Sequence, residues 1–118
     1  MLQAVVETAA FQRSAAQAGM SQKEIEDLID FLAANPDAGD EIVGTGGCRK
    51  VRVAGRGKGK SGGYRVITFF TGPVIPVFLF FAYSKGDRDN IDGRTKNALR
   101  RINKEIVESY GQRPMRIV

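Results

Sequence analysis

The chain has 118 residues, of which 42% are hydrophobic, enough for one compact domain with its own core. A single cysteine and no histidine exclude a disulfide framework, a cysteine metal site and the usual neutral-pH acid–base group. The net charge of +5 is unevenly spread: residues 1–41 hold eight acids and two bases, residues 42–86 eight bases and no acid, and residues 87–118 eight bases and five acids.

In chain order, Ala4–Glu7 reads as a short strand, and Thr8 as the N-cap of a helix running to about Ala18 and ended by Gly19. Ser21 and Glu24 form a capping box. Ile25, Leu28, Ile29 and Leu32 follow at the spacing of an amphipathic helix, closed by Asn35-Pro36. Glu26, Asp27 and Asp30 are expected to be its solvated outer face. Asp37–Gly47 is a loop. Cys48–Ala54 alternates, with Val51 and Val53 on one face and Lys50 and Arg52 on the other. The glycine-rich stretch 55–63 leads to a second strand, Tyr64–Thr71. Gly72-Pro73 turns the chain into a third, Val74–Tyr83, and the three make an antiparallel meander. The last two strands are apolar on both faces, so helices are expected to cover one side. A final helix starts near Asp92, with Leu99, Ile102, Ile106 and Tyr110 on one face and Gly111 as its stop. Met115–Val118 is either a short strand or a tail. The expected architecture is α+β: a three-stranded meander plus an N-terminal strand, packed against two N-terminal helices and a C-terminal helix in one domain, 1–118.

The stretch 48–85 combines eight cations, no acid and the longest apolar run in the chain. That pattern builds a core on one side of a sheet and an anion-binding surface on the other, and the expected anion is nucleic acid. The N-terminal residues lack the pattern of a signal peptide, and the apolar run is too short to span a bilayer as a helix, so a cytoplasmic protein with no membrane partner is expected. Gly57, Gly59 and Gly62 match a dinucleotide fingerprint, and Gly59-Lys60-Ser61 the end of a P-loop. Both fail on context, since Ala54 stands where the P-loop needs glycine and a strand follows where a helix is required. The basic loop Arg56, Lys58, Lys60 reads either as a solvated tip or as an arm whose backbone approaches phosphates.

Arg65 is the sharpest residue, because a bare guanidinium is costly inside an apolar strand. Either a carboxylate pairs with it, or it grips phosphate at the sheet rim with Lys50 and Arg52. Tyr83 and Lys85 share a face if their strand continues that far, and Tyr83 is otherwise a core residue.

This order of elements, with GKSGGYRVITFF, a strand ending FAYSK and the upstream DFLAANPDAGDEIVGTGGCRKVR, resembles the RelE/ParE superfamily of toxins from type II toxin–antitoxin pairs, in its HigB-like branch. The resemblance runs from about Val5 to Ile106. It implies a RelE-like fold and a ribosome-dependent endoribonuclease that cuts mRNA without metal or cofactor. It also implies a cognate antitoxin as partner, with ribosome and mRNA as targets. The basic positions of the second and third strands, which bind the scissile phosphate in such toxins, match Lys50, Arg52 and Arg65, and Lys85 matches a further basic position. The RelE branch has a tyrosine six residues beyond that last position, where this chain has Ile91, so Tyr83 or a loop lysine is the available substitute. Arg49, Arg56, Lys58, Lys60, Arg94 and Arg100 are the expected RNA contacts outside the catalytic set.

The residue types suit RNA cleavage by the substrate's own 2′-OH. Arginines stabilise charge on the phosphoryl oxygens, and Lys50, Lys60, Tyr83 or Lys85 handle the two protons, in an order the sequence does not assign. Two alternatives stay open: a ParE-type inhibitor of DNA gyrase, and a non-catalytic module that binds RNA or the ribosome.

Overall fold

The computed structural model describes residues 2–55, 63–86 and 91–111. Strand β1 (Val5–Glu7) leads into helix α1 (Ala9–Ala18), where the expected N-cap is in place: the Thr8 hydroxyl accepts the Phe11 N–H at 3.0 Å. It also donates to the Leu79 carbonyl at 2.7 Å, so the cap fixes the helix start to the sheet. Gly19 ends α1 at φ 87°, a left-handed value that a side chain would resist. Helix α2 (Gln22–Ala34) opens with the full capping box: Ser21 N–H donates to Glu24 Oε1 at 2.8 Å, and Glu24 N–H to Ser21 Oγ at 3.1 Å.

Five strands form one sheet in the order β1-β5-β4-β3-β2. Strands β3 (Cys48–Val53), β4 (Tyr64–Phe69) and β5 (Val77–Ser84) are the expected antiparallel meander. Two features of the sheet lie outside the sequence reading. β1 runs parallel to β5, and a two-residue strand, β2 (Asp40–Glu41), pairs with Lys50 and Arg49 of β3. β5 starts at Val77, not Val74, because Pro73 and Pro76 have no N–H to give a ladder. Val74 is left 80% exposed in the turn. Gly63 is required at the β3–β4 junction, since a Cβ there would run into the Val53 carbonyl.

Helices cover both faces of the sheet, not one. On the first face α1 and α2 bury Phe11, Ala15, Leu28 and Leu32 against Val51, Tyr64, Val66, Leu79 and Ala82. On the second, α3 (Gly93–Gly111) places Leu99 and Ile106 over Cys48, Ile67, Phe69 and Phe80. The face of α3 is rotated from the expected one: Asn103 is 1% exposed, whereas Ile102 is 42% exposed. Asn103 Nδ2 donates to the Thr45 carbonyl at 2.7 Å and to Cys48 Sγ at 3.2 Å, tying α3 to the loop before β3. A polar residue holds this position, which a search for apolar periodicity passes over. Among the described residues, no helix is long and apolar enough to cross a membrane.

Candidate functional site

The register of the meander brings three of the expected site residues into one cross-strand row. Arg52 of β3 lies directly opposite Arg65 of β4, and Arg65 directly opposite Tyr83 of β5. Strand alternation sends all three to the second face, away from α1 and α2, which agrees with Tyr83 joining the cluster under α3. Neighbouring strands are about 4.8 Å apart, so the row spans roughly 10 Å. Lys50 occupies the next position of the same face, opposite Ile67.

Tyr83 reaches this face only because β5 carries an extra residue. Ile67 pairs with Phe81 but Thr68 pairs with Leu79, so Phe80 is bulged. Unbroken alternation from Leu79, which packs toward α1, would turn Tyr83 to the first face. With the bulge, Phe80 and Phe81 both join the second face, and the Phe81 and Tyr83 rings sit 6.2 Å apart. A run reading FLFFAY carries no local mark of the bulge, which is why the sequence alone could not place Tyr83.

Arg65 is 8% exposed, and its guanidinium donates to the Tyr64 carbonyl at 3.2 Å. Among the described residues it makes no ion pair; the two pairs there are Lys23–Asp27 and Arg49–Glu41. Its cross-strand neighbour is another arginine, and like charges set opposite each other are destabilising. Two arginines set opposite each other across the ladder are suited to gripping one anion together.

The other expected residues fall in four groups. Lys85 follows β5, and its N–H extends the ladder to the Gly63 carbonyl at 3.1 Å, which carries it past the end of the row on the β5 side. Arg49 lies on the opposite face of β3 from Lys50 and Arg52, held by Glu41 at 3.3 Å and by the Gly39 carbonyl at 3.1 Å. Arg94 and Arg100 line a shallow cleft on α3 with Asn97 and Arg101, and Arg100 also donates to the Gly44 carbonyl at 3.1 Å. Arg56, Lys58 and Lys60 lie outside the described residues. Ile91 is a buried core residue beside Leu99, so that position offers no proton.

Two further titratable groups are structural. Burial pushes the Cys48 thiol up, against the opposing hydrogen bonds from Asn103 and Thr45. Burial also pushes the Tyr64 hydroxyl up, with the Glu24 carboxylate adding to the effect; this hydroxyl donates to the Gly19 carbonyl at 3.1 Å on the first face. Among the described residues no three histidine, cysteine or carboxylate side chains converge as metal ligands.

Arg52 and Arg65 set opposite each other on a sheet, next to a tyrosine, are suited to holding a phosphodiester and stabilising added charge on it, whereas Lys50 has Asp40 of β2 opposite it. Residues 3–116 match the family model described as the RelE toxin of the RelE / RelB toxin-antitoxin system, a span that includes every element of the fold and the whole row.

Proposed function

The chain belongs to the RelE toxin family, and from that premise we propose that it is a ribosome-dependent endoribonuclease of the HigB-like branch, which cuts mRNA and is held in check by a cognate antitoxin. The observation that carries this reading is the Arg52–Arg65–Tyr83 row. Such a row takes the scissile phosphate across β3 and β4, with Lys50 as a further cation. The 2′-oxygen attacks the adjacent phosphorus and loses its proton, and the P–O5′ bond breaks as the 5′-oxygen gains one. The products are a 2′,3′-cyclic phosphate and a free 5′-hydroxyl.

Arg52 and Arg65 stay cationic at any physiological pH, which suits them to stabilise the phosphoryl oxygens. Tyr83 stands at the β5 end of the row, where its hydroxyl serves a proton transfer, and Lys85 follows it on the same side. An enzyme of this kind works in the cytoplasm, where the ribosomes are. The dense row disfavours a gyrase inhibitor, which has no need of convergent cations.

Expression of the protein from a controlled promoter tests the reading. Growth should stop, and new 5′-hydroxyl ends should appear inside open reading frames of translated mRNAs. Arg65→Ala should abolish both. Growth arrest with intact mRNA and relaxed plasmid DNA would move the protein to the gyrase-inhibitor class.

A further inference from the structure

Beyond β1, which pairs only with Val77–Leu79, the outer edge of β5 is open to α1. There α1 is pinned by two bonds: the Ser14 hydroxyl accepts the Ala82 N–H at 2.9 Å, and the Ser84 hydroxyl donates to the Ala18 carbonyl at 3.3 Å. Ser14 is flanked by Arg13 and, one turn along, Gln17, both exposed. Between these side chains and Phe81 and Tyr83 lies a cleft of about 420 Å³, which adjoins the Tyr83 end of the Arg52–Arg65–Tyr83 row.

We propose that this cleft is a subsite for the nucleotide next to the scissile phosphate, with Arg13 as the ligand of that nucleotide's own phosphate. The proposal rests on the RNA-binding reading of the row and extends it around the edge of the sheet. Three observations carry it. Arg13 is one of only two cations in residues 1–41, among eight acids. The other, Lys23, is held by Asp27 at 2.9 Å, whereas Arg13 makes no ion pair or side-chain hydrogen bond among the described residues. Arg13 also sits on the one wall of α1 that meets the row, not on the acidic surface of α2. Gln17, which lines the same cleft and is exposed, offers an amide to the base edge.

The test measures binding and cutting separately. In fluorescence anisotropy with a labelled single-stranded oligoribonucleotide, Arg13→Ala should weaken binding about three- to tenfold, between an exposed ion pair and a charge-assisted hydrogen bond. It should also reduce the slope of log K against log salt by about 0.7, the value for one phosphate of a single strand. Arg13→Lys should recover most of both. On mRNA in a programmed ribosome, Arg13→Ala should raise the half-saturating concentration and leave the maximal rate unchanged. Arg13 is exposed, so its variants should keep the melting temperature of the parent. An unchanged affinity and salt slope would overturn the subsite while leaving the nuclease reading intact. Wild-type binding that depends on Arg13 without any cutting would support the subsite and sink the nuclease reading. No oligoribonucleotide binding by wild type, or an Arg13→Ala effect confined to antitoxin binding, would overturn the subsite as well.

Discussion

Arg65 faces Arg52 across neighbouring strands with no carboxylate between them, and that arrangement works against folding. Like charges set directly opposite cost roughly 0.2–1 kcal/mol. Arg65→Met, which keeps most of the volume, should therefore hold or raise the melting temperature. It should also lower single-turnover cleavage by about 10²–10³, the usual cost of losing one donor to a developing oxyanion. A large fall in melting temperature would make Arg65 a structural arginine instead. Tyr83 separates the same way. Tyr83→Phe keeps the ring packed against Phe81 and removes only the hydroxyl. If that hydroxyl moves a proton, cleavage slows by roughly 10²-fold or more; an unchanged rate returns Tyr83 to the core and leaves the proton to Lys85. Arg65 was legible in the sequence because a lone charge inside an apolar strand is conspicuous. Tyr83 was legible as a residue type but not as a position, since its face depends on the bulge at Phe80. Arg49 could not be placed from its charge, which matches its neighbours: alternation turns it to the other face, where it pairs with Glu41.

At the scale of elements, the parts governed by local chemistry were readable and the parts governed by distant partners were not. Thr8, Ser21 and Glu24 announce their helix starts because capping needs only neighbours within three residues, and the expected bonds are all formed. The parallel pairing of β1, the short β2 and the rotated face of α3 depend on segments far along the chain. Asn103 is the instructive case: it reads as a surface residue, yet it carries the contact between α3 and the loop before β3. Asn103→Ala leaves the Thr45 carbonyl and the Cys48 sulfur without that donor. It should cost about 1–3 kcal/mol of stability, measured by denaturant unfolding, because a buried acceptor loses its partner. Cleavage by the folded fraction should be unchanged, since Asn103 lies at the opposite end of β3 from Arg52. Loss of activity at full stability would show that α3 itself takes part in the site.

On the scale of the whole molecule, the charge asymmetry visible in the sequence becomes a division between the two faces of one sheet. The acid-rich α2, with Glu24, Glu26, Asp27 and Asp30, packs with α1 on the first face, and Lys50, Arg52 and Arg65 lie on the second. On the proposed reading, RNA docks on that second face, away from the acidic surface of α2. Attraction alone does not cut RNA. A small basic domain holds a free strand by its phosphates without aligning the 2′-oxygen with the leaving oxygen. The chain also has no histidine to act as an acid–base group near neutral pH. An mRNA held in a decoding site arrives already constrained, and orientation of that kind can supply a large part of the barrier. The measurement that tests this most directly is a comparison of purified protein acting on naked mRNA and on the same mRNA in a programmed ribosome complex. Cutting is expected in the complex, with little or none on the naked strand. Equal cutting in both would contradict that expectation and leave a free ribonuclease.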